Sequence, residues 1–113
     1  MAGFASFKSL PKGNEPNSFV LEWTSQSNTR IDRFELMWRE ENGVWETLNI
    51  SSIKENDYNW AGKHALSSLS KATRFEAKVR AENAEGWSRL SDAYHFATFG
   101  AGKFTTTRDL HYF

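Results

Sequence analysis

Apolar and polar residues alternate along most of the chain. Phe19, Leu21 and Trp23 are spaced by Val20 and Glu22. Phe34, Leu36 and Trp38 are spaced by Glu35 and Met37, between Arg33 and Arg39. Ala77, Val79 and Ala81 are spaced by Lys78 and Arg80. A period of two is that of a half-buried strand, whose successive side chains leave opposite faces. No segment sustains the helical period. The pattern predicts strands over Phe4–Leu10, Phe19–Trp23, Phe34–Trp38, Val44–Leu48, a short one at Ala65–Leu66 with a corner at Leu69, then Arg74–Asn83 and Tyr94–Thr98.

Turn chemistry separates these runs. Pro11, Gly13, Asn14 and Pro16 mark one loop, and Ser25–Arg30 is a polar turn. Asn42-Gly43 is a strong hairpin signal. Asn83 to Gly86 ends the strand before it. Residues 49–59 read as a polar connection, and the segment Asp57-Tyr58-Asn59-Trp60 puts two aromatics at its end, one of which is expected to plug the edge of the fold. Short strands at regular spacing predict an all-β sandwich, two antiparallel sheets packed face to face. Trp23, Phe34, Leu36, Leu69, Val79 and Phe96 are the expected core.

Composition narrows the function classes. The chain has 113 residues, which suits one domain. There is no Cys, so neither a disulfide nor a thiolate metal site is available. Formal net charge is zero, which disfavours a nucleic-acid binder. No apolar run approaches the length that spans a bilayer, and no membrane contact by this segment is expected. No secretory leader pattern is seen, and Met1-Ala2 reads as the start of an excised domain. The chain holds 5 Trp, 9 Phe and 3 Tyr, more rings than one sandwich core takes. The surplus is expected at the surface, where rings serve as binding anchors.

The order Leu69, Thr73, Phe75, Ala77-Val79-Ala81, Asn83, Gly86-Trp87-Ser88, with Trp23 upstream, resembles the second half of a fibronectin type III domain. That family's pattern is Leu-x-Pro-x-Thr-x-Tyr-x-x-x-Val-x-Ala-x-Asn-x-x-Gly-x-Ser. The resemblance runs from Phe7 to Thr98 and implies an immunoglobulin-like two-sheet sandwich. In the family's lettering, strands A, B and E (the runs at Phe4, Phe19 and Ala65) face C′, C, F and G (the runs at Val44, Phe34, Arg74 and Tyr94). It divides the chain into a start at 1–6, the domain at 7–99 and a linker or extra strand at 100–113. Three departures are visible. Phe75 stands where the family has a corner Tyr, so that hydroxyl is missing. Lys71 and Ala72 replace the usual Pro and Gly. The proline-rich entry of the first strand is absent.

No catalytic set can be assembled, so no enzyme, cofactor or metal is expected. His64, His95 and His111 lack metal-ligand spacing, and no Ser sits in a Gly-x-Ser-x-Gly elbow. Gly100-Ala101-Gly102 reads as a flexible exit, while the tail with Phe104, Leu110, Tyr112 and Phe113 is too apolar for an inert linker. The run Gly86-Trp87-Ser88-Arg89-Leu90-Ser91 resembles a degraded Trp-Ser-x-Trp-Ser box of cytokine receptors, which implies a ladder of Trp87 and Arg80. Alternation puts Arg33, Glu35, Met37, Arg39, Glu76, Lys78, Arg80 and Glu82 on one outward face with signs interleaved, unlike a heparin stripe. Trp87, Arg80, Lys78, Arg89 and Met37 are the expected partner-binding residues. Asn49-Ile50-Ser51 is an N-glycosylation sequon at the end of the predicted C′ strand.

The resemblance implies a non-catalytic protein-binding or adhesion module from the extracellular part of a membrane-anchored receptor. Its expected partner is a protein: a second copy, another cell-surface receptor, or an adjacent domain of the same chain. Alone it is expected to be a monomer or weak dimer. The alternatives are a cytoplasmic structural module of the muscle type and a spacer in a carbohydrate-active enzyme.

Overall fold

The computed structural model of the protein describes residues 5–7 and 18–98. In chain order its strands are β1 (Ser6–Phe7), β2 (Phe19–Gln26), β3 (Arg33–Glu40), β4 (Glu46–Ser51), β5 (Ile53–Lys54), β6 (Asn59–Leu66), β7 (Arg74–Asn83), β8 (Gly86–Trp87) and β9 (Tyr94–Ala97). One sheet has the order β1-β2-β6-β5. The other has the order β4-β3-β7-β8, with β9 also paired to β7. Every pairing is antiparallel. The expected sandwich is therefore observed, with β5 added to the A-B-E sheet and the G strand split into β8 and β9. The proposed first strand beyond Phe7, the loop at 11–17, the Gly100–Gly102 exit, the 104–113 tail and His111 lie outside the described residues.

The core follows the alternation. Leu21, Trp23, Phe34, Leu36, Val79 and Phe96 are buried. The Trp23 ring meets Phe34 edge-on at 5.7 Å and Phe7 edge-on at 5.9 Å. Phe96 stacks on Phe19 at 4.5 Å and on Phe75 at 5.4 Å. Such pairs add to what area burial alone contributes. Leu69 departs from expectation: it is half-buried and packs on the margin of this cluster.

The largest departure is β6. It runs from Asn59 to Leu66, whereas only its last two residues read as strand. Its inward positions are Trp60, Gly62, His64 and Leu66, a row that hides the apolar alternation. Gly62 is required there. It pairs with Trp23, and a Cβ on it would lie 2.6 Å from Nε1, Cε2 and Cζ2 of that indole. Trp60 is thus a buried strand residue rather than part of a connection, while Tyr58, just before β6, stays exposed.

β4 also differs from its predicted range. Gly43 N–H donates to Glu40 O at 2.7 Å and Asn42 sits at φ 65°, so Asn-Gly does turn the chain. The ladder, however, resumes only at Trp38↔Glu46, and Val44 stays exposed in the loop. Polar residues on an edge strand face water and carry no period, which hid the half of β4 after Leu48. Asn49 accordingly lies within β4, not at its end.

The corner before β7 lacks the family's tyrosine hydroxyl, and Thr98 supplies a substitute. Its buried Oγ1 donates to Ser70 O at 2.6 Å and accepts from Thr73 N–H at 3.1 Å. Its own N–H donates to Thr73 O at 3.1 Å. Ala72, where the family has Gly, sits at φ 50°, a left-handed conformation that costs a non-glycine residue about 1–2 kcal/mol.

Trp23→Ala is expected to destabilise the domain by about 3–5 kcal/mol. Gly62→Ala alone should cost about 1–3 kcal/mol from overpacking. With the indole gone, the added methyl has room, so in the Trp23→Ala background Gly62→Ala should cost clearly less. Urea unfolding of the four proteins checks this, and strictly additive effects would contradict the contact. Thr98→Val keeps the shape but strands Thr73 N–H and Ser70 O, and should lower stability by about 1–3 kcal/mol.

Candidate functional site

The outward face of the β4-β3-β7 sheet is an ordered lattice of charge and aromatic rings. Strand register lines up Arg33 with Glu82, Glu35 with Arg80, Met37 with Lys78, and Arg39 with Glu76. On the other side of β3, Ser51 faces Arg33, Asn49 faces Glu35 and Thr47 faces Met37. Direct cross-strand neighbours lie within reach of one another's side chains. Arg33 Nε donates to Glu82 at 2.6 Å, Arg80 Nε to Glu35 at 2.9 Å, and Arg39 to Glu76 at 2.7 Å. The hydrogen bond to Glu82 and then its charge raise the Arg33 pKa, which keeps the guanidinium protonated. The Arg39–Glu76 and Arg80–Glu35 pairs are partly exposed, so each contributes modestly, on the order of 0.2–1 kcal/mol.

Two tryptophans close this lattice at opposite ends. The Trp87 ring lies under Arg80, at 4.3 Å, and Arg33, at 5.1 Å. The Trp45 ring lies under Arg39, at 4.3 Å, and Lys78, at 5.7 Å. The contacts of Arg80 and Arg39, the shortest, are worth about 0.5–1 kcal/mol each at a surface. The expected Trp87–Arg80 stack is present, with Arg33 as a second cation. Lys78 and Met37 form the remaining row. Among the described residues Lys78 has no carboxylate partner, unlike the three arginines. Arg89 is exposed beyond β8.

Two serines hold Trp87 in place. Ser88 N–H donates to Ala81 O at 2.7 Å, and its Oγ accepts from Ala81 N–H at 2.9 Å. Ser91 N–H donates to Val79 O at 2.8 Å, and its Oγ accepts from Val79 N–H at 3.0 Å. The hydroxyls stand in for strand carbonyls, so the segment between β8 and β9 hugs β7 without forming a ladder of its own. Each Oγ then donates to the next carbonyl, Arg89 O or Asp92 O. Gly86, at φ 123°, and Asn83, whose Oδ1 accepts from Glu85 N–H at 2.9 Å, make the turn that delivers Trp87.

The family model for the fibronectin type III domain matches residues 10–97. The chain belongs to the fibronectin type III family. Solved structures agree on the fold. The type III domain of human collagen α-1(XX) is 16% identical with a TM-score of 0.66, over 92% of this chain and 93% of that one. A myokine structure is 17% identical with a TM-score of 0.62, over 86% and 94%. The sixth type III domain of human fibronectin type III domain containing protein 3 is 14% identical with a TM-score of 0.61, over 93% and 90%. No curated protein matches the chain in sequence. Fibronectin type III domains are common protein-binding and structural modules and are generally non-catalytic.

Other features of this type III domain are less organised. Among the described residues no three His, Asp or Glu are grouped to hold a metal ion. His64 faces Trp38 at 6.2 Å between the sheets, and His95 is exposed opposite Glu76. A cavity of about 400 Å³ opens between the β3–β4 turn and the corner, lined by Trp38, Val44, Leu69 and Phe75 among others, with Ser70 Oγ donating to Glu40 at 3.1 Å.

Trp45 was the site residue that sequence reasoning missed. The alternation pattern puts it inside the strand predicted over Val44–Leu48, whereas it directly follows the hairpin that brings β4 beside Arg39. Its signal was the excess of tryptophans over inward positions.

Ser91→Ala removes the hydroxyl that accepts from the buried Val79 amide and should cost about 1–3 kcal/mol. Native-state hydrogen exchange should speed up at Val79 N–H while Ala81 N–H, held by Ser88, keeps its protection.

Proposed function

We propose that this type III domain is a protein-binding module from the extracellular part of a larger cell-surface protein, acting in adhesion or recognition through the β4-β3-β7 face. The carrying observation is the pair of cation-clamped tryptophans at opposite ends of that face, with Met37 and Lys78 between them. Net charge is zero, so long-range steering contributes little and affinity must come from local anchors. Large rings already held in one position lose little freedom on binding. Trp87 and Arg80 form the centre of the contact, with Lys78, Met37 and Arg89 around them. Lys78 is the side chain open to a carboxylate on the partner, because Arg33, Arg39 and Arg80 are already paired. The partner is a second copy, another receptor or the adjacent domain of the same chain. The Asn49 sequon supports an extracellular setting.

One observation favours a second reading. Arg80 is bonded to Glu35 and stacked on Trp87 within the domain, so the lattice serves equally as a brace for the sheet. Trp87→Ala separates the two. Binding through this face predicts weakened self-association, or weakened docking of a neighbouring domain, in a longer stretch of the parent chain followed by sedimentation. Unchanged association together with a lowered unfolding midpoint leaves the stack as a brace only.

A further inference from the structure

The sequon and the proposed partner face are one surface. Asn49 is exposed on β4 and pairs with Glu35, which pairs with Arg80. Paired residues in a sheet share a face, so Asn49, Glu35 and Arg80 form a single row. The next row is Thr47, Met37 and Lys78. Adjacent strands lie about 4.8 Å apart, which puts β4 about 10 Å from β7 across this face. A branched N-glycan core is longer than that span. The row has no tall side chain at Thr47 to hold such a glycan away from Met37 and Lys78. Ser51, the hydroxyl residue of the sequon, is also exposed.

We propose that Asn49 is an N-glycan acceptor whose sugar covers the Met37–Lys78 row, so that glycosylation and partner contact at that row exclude each other. The consequence for binding rests on the function proposed above, while the placement of the glycan rests on strand register alone. An unglycosylated domain presents the whole face. A glycosylated one keeps the Trp87 ring, on β8 beyond β7, the strand farthest from Asn49 in its row. Site occupancy then selects which surface of the domain a partner meets.

The test needs no partner. The chain is secreted from a glycosylating eukaryotic host behind a leader, beside the Asn49→Gln variant. Intact mass before and after peptide N-glycosidase reads occupancy. Lysine acylation read by peptide mass spectrometry then compares Lys78 with Lys63. Lys63 is exposed on β6 opposite Glu22, on the outward face of the other sheet, and serves as an internal control. The expected result is a glycan on the wild type and a few-fold slower acylation of Lys78 than in Asn49→Gln, with Lys63 unchanged. Enzymatic removal of the glycan should restore the Lys78 rate. A wild type secreted without a glycan overturns the proposal. So does a glycosylated wild type in which Lys78 reacts as fast as in the variant. Neither result bears on the Trp87→Ala measurement, so the two readings fail separately.

Discussion

The sandwich depends on an indole lying flat against bare backbone. Trp23 occupies the middle of β2, and the neighbouring strand can pass it only because position 62 has no side chain. This contact fixes several things together. It sets the register of β2 against β6, since a shift of one residue would bring Ala61 or Lys63 under the ring. It also turns the indole toward Phe34 on the opposite sheet, and through Phe34 it joins β2 to β3. The pairing of a very large residue with the smallest keeps the layer flat enough for the second sheet to pack against.

On its outer side the opposite sheet is organised by charge rather than by volume. The inward residues of β3 and β7 are apolar, and their outward neighbours are forced by alternation into four rows. Three rows hold one cation and one carboxylate each, and the fourth holds Met37 and Lys78. Neutral rows let a densely charged face exist without repelling itself. The tryptophans then cap the paired cations Arg33, Arg39 and Arg80 together with Lys78, which stiffens long side chains that would otherwise wander. The atoms that brace the sheet are the same ones that the function proposed above uses for recognition.

What was legible in the sequence was what alternation encodes. β2, β3 and β7 carry strict period-two patterns, and their core positions were placed correctly. The outward face of β3 and β7 followed from parity alone. β6 was not legible, because Gly62 and His64 occupy inward positions for reasons that lie in partner strands: one makes room for Trp23 and the other faces Trp38. β4 and β5 were obscured for a different reason. They are edge strands with mostly exposed residues, so burial leaves little imprint on their composition. The site was half legible. The Trp87–Arg80 stack came from a local motif, while Trp45 needed the exact end of a hairpin, which depends on backbone geometry at Asn42. The splitting of the G strand depends on serine hydroxyls acting as acceptors, a role that the motif contained but did not explain.

The Thr98 hydroxyl has a mechanical meaning. A domain strung in a longer chain feels tension through its ends. Tension arriving at the end of β9 meets Thr98 first, and there three hydrogen bonds tie the strand to Ser70 and Thr73. These bonds are loaded together rather than one after another. Force is therefore passed into the corner and on to β7, an inner strand of its sheet, instead of peeling β9 away residue by residue. The threonine hydroxyl supplies two of these three ties, so the join between the last strand and the corner is set by one side chain.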